Sequence, residues 1–261
     1  MNKTFVAAAL LCCSVAPSTG WAGDWYSERP NWGIRVSAGA LRPHIGATAT
    51  TEQYTEVVFG KPGKTVLTSG PWLKELALHR YILRYHGLLG VYGSVGHWRI
   101  RGKTRVCQQD GAVVNCSPDT IVDLGSSAGN GSTMLSLLPL SVGVIYNDDM
   151  LVRRFAIPLA LQIRGGLDYN LWWVNSNDAT AFTSTGKRAR GATLGYSVAG
   201  GVAFNLDWVE PDAARKGRNA TGVTDTYLAV ELLHKRALDP HTRRIDPGGT
   251  ALYFGLLVDF L

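Results

Sequence analysis

The sequence predicts an all-β chain, folded as an antiparallel up-and-down transmembrane β-barrel of eight strands. Three observations carry that expectation. Eight stretches are long enough to cross a membrane as strands, for which roughly 9 to 11 residues suffice, and most alternate apolar with small or polar residues. The connections between them are long and polar at one end and tight at the other. Aromatic residues gather at the strand ends. Composition agrees: 46% of the 261 residues are apolar and only 18% charged, yet the mean hydropathy is +0.01. One greasy and one small, polar strand face average to such a value. There is too much Leu, Val and Trp for a disordered chain and too little charge for a coiled coil. No run of about 18 apolar residues offers a membrane-spanning helix.

Residues 1–22 read as a cleaved signal peptide, leaving 23–261 as a single barrel domain. Lys3 supplies the charge, Phe5 to Cys13 an apolar stretch, and Gly20-Trp21-Ala22 small residues at the cleavage point. Its removal takes one lysine, so the net charge of +6 falls to +5. The predicted strands then follow at 32–41, 72–85, 88–101, 133–146, 154–173, 192–208, 226–236 and 250–261. His86-Gly87 joins the second to the third, and Asn147-Asp148-Asp149 the fourth to the fifth. The sixth has the cleanest period. Leu194, Tyr196, Val198, Val202 and Phe204 share one face, and Thr193, Gly195, Ser197, Gly201 and Asn205 the other. In the second, Leu76 and Leu78 fall on the parity of Arg80 and Arg84, which calls for a bulge or a different register. A short helix is expected to start at Pro211.

An even strand number leaves both termini on the side of the short turns, the periplasmic side of a Gram-negative outer membrane. Trp32, Tyr85, Tyr146, Phe155, Trp208, Tyr227 and Phe260 mark that end, and Trp72, Trp98, Trp172 and Trp173 the outer one. A soluble barrel of the same size would carry charge on its outer face. Here the non-bulky face of the sixth strand bears no Lys or Glu, and it suits the cramped lumen of an eight-stranded barrel. Buried charges need partners, so Arg35, Arg80, Arg84 and Arg164 are expected to form an interior cluster with Glu231. Cys107 and Cys116 flank Asp110-Gly111, a hairpin signal, and read as a small disulfide loop facing the oxidising exterior.

Two segments resemble a known family. Ile34 to Gly46 (IRVSAGALRPHIG) is followed by Val58-Phe59-Gly60. Leu206 to Arg215 (LDWVEPDAAR) is followed by Gly222 to Glu231 (GVTDTYLAVE). Both are similar to an uncharacterised family of outer-membrane β-barrels known from myxobacteria. That resemblance implies an outer-membrane barrel and no activity. The last strand ends, as such barrels do, on alternating Leu252, Phe254, Leu256, Val258 and Phe260, with Leu261 one residue beyond.

Other motifs fall short. Val58 to Thr65 lacks the first glycine of a phosphate-binding loop. His79 with Ser69 or Ser94 could be drawn as a lipid-facing catalytic pair. No cofactor, metal site or catalytic centre is expected. The basic clusters at 187–190, 215–218 and 243–244 are dispersed, which disfavours nucleic acid despite a pI near 9.2. They suit the anionic phosphates of lipopolysaccharide instead. The expected role is structural or surface interaction, with outer-membrane lipid and lipopolysaccharide as partners and the loops open to an extracellular ligand. A small-solute channel is the alternative, and a lipid-modifying barrel enzyme a third reading.

Overall fold

A computed structural model describes residues 30–41, 71–84, 86–109, 112–115, 127–176, 179–180, 188–238 and 248–261. The expected signal peptide, the 58–65 segment, Ser69 and Cys116 lie outside these. The strands are β1 (Trp32–Ala40), β2 (Trp72–Arg84), β3 (Leu88–Gln109), β4 (Ala112–Asn115), β5 (Ser127–Asp148), β6 (Leu159–Ser176), β7 (Ala179–Thr180), β8 (Arg190–Asn205), β9 (Val223–Ala237) and β10 (Gly249–Phe260). Eight of them run in the order β2-β1-β10-β9-β8-β6-β5-β3, and β3 pairs back onto β2, which closes the barrel. Every pairing is antiparallel. The short β4 and β7 only extend β3 and β6 beyond the barrel. Gln109 pairs with Ala112 in the β3–β4 ladder.

The strands tilt. From Gly33, a row perpendicular to them passes His79, Tyr92, Gly143, Gly166, Ser197 and Lys235 to Gly249. It begins at the near end, beside the termini, and finishes at the far end, the stagger a closed barrel requires. Alternation then sorts the side chains. On β2, Leu73, Glu75, Ala77, His79 and Tyr81 face the lumen, while Trp72, Lys74, Leu76, Leu78 and Arg80 face outward. The outer wall is apolar between its rims, with Val36, Leu76, Val95, Val142, Leu167, Val202, Leu232 and Leu256 all exposed. From Arg80 to Trp72 the wall spans roughly 20 Å, taking about 3.3 Å per residue and about 40° of tilt. That is close to the apolar band of about 25 Å on outer-membrane barrels. Among the described residues, no helix is long and apolar enough to cross a membrane.

The near-end connections differ from expectation. Residues 154–158 are not strand: after β5 the chain forms helix α1 (Met150–Phe155), and β6 starts only at Leu159. Val152 of α1 enters the barrel mouth among Ala160, Ala203, Tyr227, Ala229 and Leu257. Val152, in the connection expected between the fourth and fifth strands, is thus a helical stopper. After β8, residues 206–208 make a 3-10 turn, and helix α2 (Pro211–Thr221) begins at the proline as expected. Gly222 ends α2 in the left-handed region at φ 74, a conformation that costs a side-chain-bearing residue about 1 kcal/mol. No atom stands within 4 Å of a Cβ placed there. Gly222→Ala should therefore lose about 1 kcal/mol in a urea titration, through backbone strain alone.

Candidate functional site

The lumen is the most concentrated piece of chemistry in the molecule. Inward parity on four strands brings Arg35 (β1), Glu75 (β2), Gln162 and Arg164 (β6) and Glu231 (β9) to its middle, all of them buried. Arg35 donates to both Glu231 and Gln162. Arg164 donates to Glu75, and its Nε reaches Glu231 Oε2 at 3.2 Å. Its guanidinium also lies 5.7 Å from the centre of the Tyr92 ring. Glu231 therefore bridges two arginines, and Arg164 bridges two carboxylates.

A second buried pair sits beside this cluster. Lys235 Nζ is 3.1 Å from Asp168 Oδ2, and Ser197 Oγ donates to Asp168 Oδ1 at 3.0 Å. Three cations (Arg35, Arg164, Lys235) thus meet three carboxylates (Glu75, Asp168, Glu231) in the lumen. That balance is what makes burial of so many charges tolerable.

Apolar side chains close over the charged layer toward the far end. Leu41, Leu73, Trp98, Leu135, Leu137, Leu233 and Ala251 pack together there. The Trp98 indole N–H is satisfied by Leu41 O at 2.8 Å and Pro71 O at 3.1 Å, which pins the ring across the lumen. Toward the near end, His79 Nε2 lies 3.1 Å from Asp259 Oδ1, and the Tyr81 hydroxyl donates to the same carboxylate. Below it, α1 and α2 border a cavity of about 130 Å³ lined by Val152, Trp208, Asp207 and Arg218 among others. Burial holds the Asp207 carboxyl above its ordinary pKa, against a backbone hydrogen bond from Thr226 and the nearby Arg218.

Of the five residues expected to cluster, the structure brings Arg35, Arg164 and Glu231 together and leaves Arg80 and Arg84 out. Arg80 shares the outer face with Leu76 and Leu78, and its guanidinium lies 4.9 Å from the centre of the Trp32 ring at the near rim. Arg84 stands beyond an irregularity between Tyr81 and Leu83 and bonds the Asn31 side chain. The parity conflict on this strand had a simple cause: the leucines and the arginines both point outward.

Sequence reasoning missed Glu75, Gln162 and the Asp168–Lys235 pair. The signal was available for Glu75, which alternates with Leu76 and Leu78 and falls on the inward face with His79. His79 itself is buried in the lumen, so the lipid-facing catalytic pair drawn with Ser69 or Ser94 is corrected. Cys107 stands on β3 opposite Val114; the disulfide expected with Cys116 lies outside the described residues. Among the described residues, no group of His, Cys, Asp and Glu is arranged to hold a metal ion.

No protein-family model matches the chain, and no curated protein matches it in sequence. Several solved structures share its outline. The attachment invasion locus protein Ail of Yersinia pestis, solved with the heparin analogue sucrose octasulfate, is 9% identical, with a TM-score of 0.39 over 89% of this chain and 99% of that one. The N-terminal β-barrel domain of Pseudomonas aeruginosa OprF is 9% identical, with a TM-score of 0.40 over 89% and 100%. A major outer membrane protein of Thermus thermophilus is 13% identical, with a TM-score of 0.41 over 88% and 99%.

Proposed function

We propose that this chain is an integral outer-membrane β-barrel of a Gram-negative bacterium, with a structural or surface-interaction role and a lumen that does not conduct. In this reading residues 1–22 are the signal peptide and 23–261 the single barrel domain. Both termini face the periplasm, and Cys107 and Cys116 form a disulfide in a loop outside the cell. The resemblance of residues 34–46 and 206–231 to outer-membrane barrels known from myxobacteria supports the same reading.

One observation carries it: the barrel is inverted relative to a water-soluble one. Valines and leucines cover the outside, while Arg35, Glu75, Arg164, Asp168, Glu231 and Lys235 are buried inside. Exposed apolar surface on this scale is stable only against lipid. Inside, ion pairs in the middle and packed apolar side chains toward the far end leave little room for a solute.

Refolded protein inserted into planar bilayers should show no stable conductance steps, with its heat-modifiable gel shift as the check on insertion. Reproducible steps from folded protein would replace the filled lumen with a small-solute channel.

A further inference from the structure

The outer wall is electrically lopsided. At the far rim, Lys74, His97, Arg99, Arg101, His234 and Arg236 all point outward and are exposed. The carboxylates that reach solvent among the described residues (Asp148, Asp207, Glu210, Asp212) all lie at the near end. There Arg80 lies against Trp32 and Arg84 bonds Asn31, while at the far rim Arg99 donates to Met134 and His234 bonds Thr250.

The far-rim cations are densest on two adjacent strands. Lys74 of β2 stands directly opposite His97 of β3, and residues so placed have Cβ atoms about 5 Å apart. Two residues further up the same faces come exposed Trp72 and Arg99. Two residues down comes the exposed pair Leu76 and Val95, with Leu78 and Val91 below. Cations therefore sit immediately above a continuous apolar strip, and Trp72 stands in the same rim just above Lys74, as aromatic rings do near the membrane–water interface.

We propose that the β2–β3 face is a binding site for a phosphorylated glycolipid of the outer leaflet, of the lipopolysaccharide kind. Its phosphates sit on Lys74, His97 and Arg99, and an acyl chain lies along Leu76, Val95, Leu78 and Val91. Charge complementarity selects the anionic head, and the apolar strip beneath requires that the head carry a chain. A soluble polyanion would satisfy only the first condition. This inference rests on the membrane-barrel reading. Among the described residues, only the far rim offers outward cations without solvent-reaching carboxylates, so the inference also assigns that rim to the cell exterior.

Full-length protein refolded in neutral detergent can be titrated with bisphosphorylated lipid A, its dephosphorylated counterpart and phosphatidylglycerol, with retention read by native mass spectrometry. Lipid A should be held, and the other two at least tenfold more weakly. The Lys74→Glu/Arg99→Glu variant should lose lipid A binding at least tenfold, and Lys74→Gln/Arg99→Gln should fall between it and the parent. Arg80→Glu, the same charge change at the near rim, should bind within twofold of the parent. Equal binding by the far-rim variants, equal loss in Arg80→Glu, or equal retention of either comparison lipid would overturn the site. Insertion into phosphatidylcholine vesicles is measured alongside. Failure to insert sinks the barrel reading itself, whereas insertion without lipid A preference sinks only this inference.

Discussion

Glu231→Gln should destabilise the barrel by about 3–5 kcal/mol, among the largest losses available to a single side chain here. The carboxylate accepts from Arg35 and Arg164 at once, and all three groups are buried. A neutral amide keeps the shape and can still accept a bond. It leaves three lumen cations facing two carboxylates, in surroundings where water cannot screen the excess. Urea titration of refolded protein in lipid vesicles, followed by tryptophan fluorescence, measures the loss. A double variant, Arg35→Met with Glu231→Leu, removes one charge of each sign and should recover most of it, because buried ion pairs contribute little net stability over apolar packing. A loss below about 1 kcal/mol for Glu231→Gln would mean that the cluster is solvated like a surface pair.

The second large effect concerns the outside. Val36 lies at the centre of β1, is 57% exposed and is flanked in register by Leu256 and Leu76. Val36→Arg should cost about 2–4 kcal/mol in vesicles, the range for a cation near the middle of the lipid-facing band. The same change on a water-facing strand would stay within about 0.5 kcal/mol. Val36→Leu serves as the conservative control and should leave the urea midpoint almost unchanged. The two substitutions test opposite faces of the same wall: one removes a charge where charges are buried, the other adds one where none belongs.

The barrel was legible in the sequence because a period of two leaves a dense record. On β8, each residue from Thr193 to Asn205 declares its face, and the small, uncharged set indeed lines the lumen. What was not legible arose where the record is thin. Residues 150–155 are apolar and basic in a pattern that fits strand or helix, and only the fit of Val152 among Tyr227 and Leu257 decides for helix. The charge cluster was half visible for a related reason. Parity says whether a side chain points inward, as for Arg35, Arg164 and Glu231, but not the height at which it meets another strand. Height depends on the stagger, which the sequence does not print. Arg80 shares its parity with Leu78 and Leu76, which points it outward and not into the expected cluster, whereas Glu75 stands on the inward parity.

The seam between β1 and β10 joins the first and last strands of the barrel, with Trp32 opposite Phe260 and Asn31 N bonded to Phe260 O. Every other pairing can form between segments that are neighbours along the chain, as hairpins do. This one must bring together residues more than two hundred positions apart, so it carries the heaviest loop-closure entropy in the molecule. Until it forms, the curved sheet has two raw edges whose amide and carbonyl groups have neither water nor partners within lipid. Closure is therefore the committing step of assembly, and a chain lacking its final strand would be an open sheet in search of a substitute edge rather than a slightly smaller barrel.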